Sequence, residues 1–291
     1  MAKADLAALL ALGAALFIAL GDVIHQRSAH EVTDDSGSHV ELFLRLLHDR
    51  RWWLGSVVAA GGFAFQAAAL GLGSVLLVQA LLVTSLLFAL PINARLTARR
   101  VTRWEWMWAG VLAGSVAVIV TVGNPTAGHS RASLETWTTV AAVLGPIVVM
   151  CALAARVVSG PPRAALLAVV SGALWGLFAV LTKAVVDRGT DGVWALVRTP
   201  ELYAWAATGV AGTIWQQASF RAGALTASLP TMTITEPLVA SALGIVVLGE
   251  ALRPGDAGWL TLAVAVVAMV VAAVALARGE AVSADARRPD H

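Results

Sequence analysis

The sequence predicts an all-α integral membrane protein of nine transmembrane helices in two inverted repeats. Composition, segment length and an internal echo carry that reading. Hydrophobic residues make up 58% of the 291 residues, charged residues only 13%, and mean hydropathy is +0.79, beyond the roughly 45–50% apolar content of a soluble domain. Nine apolar runs follow one another with short connections, each near the roughly 20 residues that cross a hydrocarbon core. They are uniformly apolar, without the alternation of barrel strands, so helices are the way to satisfy their backbone in lipid.

In order, the runs are Asp5 to Ser28, Trp52 to Leu70, Ser74 to Asn93, Trp104 to Val122, Leu134 to Val158, Ala164 to Val186, Tyr203 to Phe220, Leu225 to Gly249 and Gly258 to Ala277. The first is preceded by a single lysine and followed by no small-residue cleavage pattern, so it is expected to be a retained span. The second carries Gly61-Gly62 and the sixth Gly172 to Gly176, small residues suited to close helix contact. The fifth holds Cys151, the single cysteine, which excludes an intramolecular disulfide and a cysteine metal cluster. The eighth contains Pro230 and Pro237 and is expected to break near the middle of the membrane. Between the first two runs, 31–39 is polar and 40–47 could lie on the membrane surface; 279–291 reads as a disordered polar tail.

Nine spans put the chain ends on opposite sides. Sorting loops by alternation places fourteen Lys and Arg residues on one side and six on the other, so the positive-inside rule predicts an outer N-terminus and a cytoplasmic C-terminus in the plasma or inner membrane. Eight of the eleven tryptophans lie at or near run ends, as an interfacial aromatic belt requires. The net charge of +2, without a basic tract interleaved with aromatics, argues against nucleic acid as a partner.

The second half echoes the first weakly. Phe17, Leu20, Asp22 and Arg27 fall opposite Phe178, Leu181, Lys183 and Arg188; Gln66-Ala67 falls opposite Gln217-Ala218, and Glu105 opposite Asp256. This gives a first repeat over 1–123, an intervening helix over 134–158 and a second repeat over 164–278, followed by the 279–291 tail. Five helices separate the repeat starts, so the second unit is inverted, the arrangement from which many secondary transporters derive alternating access.

Polar groups inside the runs are costly, which makes them the candidate site. Glu236 lies beside Pro237 near the centre of the eighth run; it either meets a solute or fixes a kink. Ser228, Thr231 and Thr235 share one face of that helix. Gln79 and Trp175 join these as candidate substrate-binding groups, each with a packing role as the alternative. Asp22 and His25 share a face near the end of the first helix, and with Lys183 they are candidates for coupling or gating; snorkelling to the interface is the alternative for Asp22 and Lys183. Neither a Walker lysine loop nor an H-E-x-x-H motif is present, and no cofactor or resident metal is expected.

The stretch ALTASLPTMTITEPLVASALGIVVLGEAL, Ala224 to Leu252, resembles the end-of-repeat signature of the EamA domain in the drug/metabolite transporter superfamily: a proline, small and apolar residues, then Gly-Glu, here Pro237, Gly249 and Glu250. Arg51 to Gly123 is also similar to the NIPA-type magnesium-transporter branch, with its Trp-Trp-x-Gly start and LLVQALLVTSLLFALPINARLT run. The EamA pattern usually has ten helices against the nine counted, and in the first repeat Leu96-Thr97 and arginines stand where Gly-Glu is expected. The resemblance implies a multi-pass, non-enzymatic transporter of small solutes, metabolite or drug, with proton coupling as one option. A Mg²⁺-type divalent-cation transporter and a non-transport scaffold or lipid-handling protein are the alternatives. The expected partners are a small-molecule or ion substrate and the bilayer, with a homodimer left open.

Overall fold

In a helix bundle solvated by lipid, contacts favour small side chains and large apolar ones can face outward. The helix Ala2–Val32 (α1) follows this rule: Ala7, Ala11, Ala14, Ala15 and Ala19 are buried, while Leu6, Leu9 and Leu16 are exposed. The computed structural model describes residues 2–32, 50–96, 100–222, 225–255 and 258–285, with side chains over 3–21, 57–95, 100–222, 227–255 and 258–279. The other helices are α2 (Arg50–Leu72), α3 (Val75–Leu82), α4 (Ser85–Leu96), α5 (Arg103–Thr121), α6 (Leu134–Val157), α7 (Pro161–Thr190), α8 (Val193–Val197), α9 (Pro200–Arg221), α10 (Leu225–Leu248) and α11 (Gly258–Asp285). No strand occurs among the described residues; a single antiparallel bridge joins Thr126 and Ala251.

Seven helical stretches are long and apolar enough to cross a membrane: Lys3–Gly21, Val75–Arg95, Arg103–Thr121, Leu134–Val157, Pro161–Thr190, Ala227–Leu248 and Gly258–Gly279. The chain is thus all-helical and of multi-pass membrane type. The remaining two expected runs are also helical, as α2 and α9. In α2 the apolar stretch Val57–Leu72 is shorter, and α9 carries Thr208, Thr213, Gln216 and Gln217 in its body.

Two helices depart from the expected geometry. The third run is not one helix but α3 and α4, divided at Val83–Thr84, where the Thr84 amide and hydroxyl both donate to the Leu81 carbonyl. The eighth run, expected to break at its prolines, is continuous as α10. The hydroxyls of Thr231, Thr233 and Thr235 donate to the carbonyls of Ala227, Leu229 and Thr231, one turn back, while Pro230 and Pro237 each withhold one amide donor without ending the helix.

The helix α7 occupies the interior, packing on α2, α6, α9 and α10. The helix α6 is peripheral: Val140 and Ala155 are its buried residues, while Val143, Val149, Met150 and Leu153 are exposed. Helix α1 packs on α2, α3 and α4; α7 packs on α9 and α10; and α5 packs on α11. Phe17 of α1 lies against Gly61 of α2, where a β-carbon would be 3.1 Å from the ring, and Phe178 of α7 lies against Gly209 of α9, where it would be 3.0 Å away. The aligned phenylalanines therefore fill comparable notches on their neighbouring helices.

Candidate functional site

A helix N-terminus presents amides without intrahelical partners and carries partial positive charge, so burying one requires acceptors. That is the situation at α3, whose residues are all buried. Ser74 caps it conventionally, its hydroxyl accepting from the Leu77 amide at 3.1 Å. The Val75 and Leu76 amides donate instead to Glu250, 175 and 174 residues away in sequence, at 2.8 and 3.0 Å.

Glu250 is delivered by the end of α10. Gly249 adopts the left-handed conformation, φ +65°, which a glycine accepts without penalty, and the Glu250 amide returns to the Gly244 carbonyl at 3.0 Å. Gly244 leaves room for the carboxylate, since a β-carbon there would lie 3.0 Å from Glu250 Oε2.

Lys183 completes the cluster. Its Nζ donates to Glu250 Oε1 at 2.7 Å and to the Gly73 carbonyl at 2.9 Å. The side chains are 6% and 0% exposed, so the candidate gating lysine is locked inward and does not snorkel. One carboxylate thus receives two amides and an ammonium, and that ammonium also takes a carbonyl from the α2–α3 junction. Charged groups are tolerated at such burial when paired and hydrogen-bonded in this way.

The surrounding loops close over this end. The connection after α5 pairs with the one after α10: Thr126 N–H to Ala251 O at 2.8 Å, Arg253 N–H to Gly123 O at 2.8 Å, and His129 N–H to Leu248 O at 2.7 Å. Arg131 reaches from the same connection to Asp187 and Asp191 at the end of α7.

Next to the ion pair is an apolar cavity of about 150 Å³ between α3, α5, α10 and α11. Leu76 and Leu252 line it beside Pro237, Ile245 and Met269; Thr233 and Ser241 are the polar residues of its wall.

The residues singled out from sequence are distributed as follows. Glu236 is half-buried on α10, where its backbone packs on α7: β-carbons on Gly172 and Gly176 would lie 3.1 Å from its amide nitrogen and 2.9 Å from its carbonyl oxygen. Thr235 rests against Gly172 as well, and the Thr231 and Thr235 hydroxyls are engaged with their own helix. Ser228 and Gln79 are buried, and Ser228 Oγ and Gln79 Nε2 have no hydrogen-bond partner among the described residues. Trp175 stacks on Phe63 with ring centroids 5.7 Å apart and meets Phe178 edge-on at 5.1 Å. None of these six contributes to the cavity wall. The side chains of Asp22 and His25 fall outside the described residues. The sequence singles out Lys183 but does not pair it with Glu250; the one local signal was the Gly249-Glu250 dipeptide at the end of the eighth run.

The sequence has a counterpart. Over 284 residues, 97% of the chain and 98% of the relative, it is 38% identical to Cgl0250/cg0304, an uncharacterized protein of Corynebacterium glutamicum. The chain belongs to that protein's family. The match runs through both halves and includes the ion-pair region. No family model and no solved structure matches the chain.

Proposed function

We propose that this protein is a multi-pass transporter of small solutes that works by alternating access between the halves 1–123 and 164–278. The observation that carries the reading is the Lys183–Glu250 pair. Both charges belong to the second half, while the Gly73, Val75 and Leu76 groups they bind belong to the first. Hydrogen bonds that join the halves at one end can be replaced by water when the halves part, which suits a gate between moving halves. The similar partner sets of α1 and α7, and the pairing of α5 with α11, support two related units. The EamA resemblance of Ala224 to Leu252 supports the same reading, with Glu250 as its final acidic residue.

In this reading α2 and α9 join the seven apolar stretches as spans, giving nine. The positive-inside rule then sets the ion-pair end outside and the C-terminus in the cytoplasm of the cell membrane. In this reading the closed, ion-paired end is the outer one. Glu236 and the α10 hydroxyl face belong to the solute path, and Asp22 and His25 to its coupling.

The test is flux into and out of proteoliposomes, with Mg²⁺, amino acids, amines, sugars and uncharged aromatics as solutes, with and without a pH gradient. Movement of an organic solute that is lost in Glu236→Gln and altered in Glu250→Gln establishes the reading. Flux of Mg²⁺ alone replaces it with a divalent-cation transporter, and absence of flux across the panel removes transport.

A further inference from the structure

The cavity beside the ion pair has a chemistry of its own. Its wall is hydrocarbon apart from Thr233 and Ser241, and the Thr233 hydroxyl is already committed to the Leu229 carbonyl. Among the described residues no acidic, basic or amide side chain lines it, so a charged guest would be desolvated there without a counter-charge. Its volume, about 150 Å³, is enough for a benzene-sized guest, and its wall residues Leu238 and Ile245 are half-exposed, so it is open on one side.

Its placement is equally specific. Leu76 and Ala80 come from the first half, and Pro237 and Met269 from the second, so it lies on the same seam as the ion pair. One wall residue is bonded directly to that pair, and a second lies beside it in sequence. Leu76 donates its amide to Glu250 Oε2, and Leu252 follows Glu250 by two positions on the strap held by Thr126. Releasing Glu250 therefore frees the Leu76 amide, while the strap that carries Leu252 stays held by Thr126 and Gly123.

We propose that this cavity is a binding site for a small uncharged lipophilic solute, about one aromatic ring in size, with the Lys183–Glu250 pair closing its outer end. As a statement of what is carried, it rests on the transport reading above; as a binding site, it stands on the cavity itself.

The purified full chain in nanodiscs is photolabelled with an uncharged phenyl(trifluoromethyl)diazirine, and labelled residues are mapped by mass spectrometry. The expected result is labelling of Leu76 and Met269 that saturates and is displaced by toluene but not by phenyltrimethylammonium, while lipid-facing Val210 and Val246 label without saturation. Ala80→Phe, which fills the cavity, lowers the saturable component about tenfold, and Val210→Phe leaves it unchanged. Where Ala80→Phe does not fold, the competition on the unaltered protein decides alone. Labelling of Leu76 and Met269 that fails to saturate, or that the cation displaces as well as toluene does, overturns the proposal. Saturable labelling without flux of any solute keeps the site and removes the transport reading; flux of a charged solute without saturable labelling does the reverse.

Discussion

One turn of α7 separates two kinds of ion pair. Lys183 meets Glu250 at 2.7 Å with side chains 6% and 0% exposed, whereas Arg131 meets Asp187 at 2.9 Å with 31% and 37% exposed. The distances are nearly equal, so distance does not rank the two. What differs is the alternative each charge has when its partner is gone. Asp187 can turn to water, and Arg131 retains Asp191 at 3.4 Å. Lys183 would keep only the Gly73 carbonyl, and α3 would lose the acceptor of two buried amides. A buried pair is therefore expensive to break from one side even where its net contribution is small, and an exposed pair contributes little in either sense.

The largest expected effect follows from that asymmetry. Lys183→Met should destabilise the protein by about 3–5 kcal/mol by leaving Glu250 buried without its cation. Adding Glu250→Leu should restore part of the loss, because both charges are then gone, yet the Val75 and Leu76 amides remain unpartnered at about 1–3 kcal/mol each. Unfolding in detergent, followed by circular dichroism for the two single variants and the double variant, measures this. Additive single effects would show that the two charges are not coupled, and the distinction drawn above would fail.

An intermediate effect sharpens the comparison by removing charge from it. The second half also has a close uncharged contact: a β-carbon on Gly176 would lie 2.9 Å from both the Ala240 nitrogen and the Glu236 oxygen of α10. Gly176→Ala should cost about 1–3 kcal/mol, since the obstruction is backbone and cannot swing aside. Gly110 on α5 has nothing within 4 Å of a β-carbon. There the same substitution should be neutral, or stabilising by about 0.5–1 kcal/mol through helix propensity. Equal responses at the two positions would show that the α7–α10 contact is looser than drawn.

Much of the fold was legible because composition and run length are local properties. Each of the nine apolar runs lies on helix, and Gly61-Gly62 and the Gly172–Gly176 motif sit at helix contacts, as their size requires. The breaks were not legible from proline alone. Pro230 and Pro237 each remove a donor without ending α10, while α3 parts from α4 at Val83–Thr84, seven residues before Pro91. Proline counts a lost donor; whether the chain breaks depends on the surrounding acceptors and packing. The site was half legible for a related reason. Lys183 stands out as a charge within an apolar run, but Glu250 sits just past the end of one and reads as a loop residue. Its burial follows from the return of α10 to the α3 N-terminus, a contact across 175 residues that no local pattern carries.

The smallest expected effect closes the comparison from the exposed side. Arg131→Ala removes contacts with Asp187 and Asp191, yet Asp191 keeps Arg188 at 3.2 Å and all three side chains reach solvent. The cost should therefore be no more than about 1 kcal/mol. Salt provides the discriminating measurement. Raising ionic strength to 1 M shortens the screening length to about 3 Å, so the stability difference between Arg131→Ala and the unaltered protein should vanish, while that between Lys183→Met and the unaltered protein should persist because mobile ions do not reach the pair. If both differences screened alike, Lys183 and Glu250 would be in contact with solvent, and the seam would be open under the conditions of the measurement.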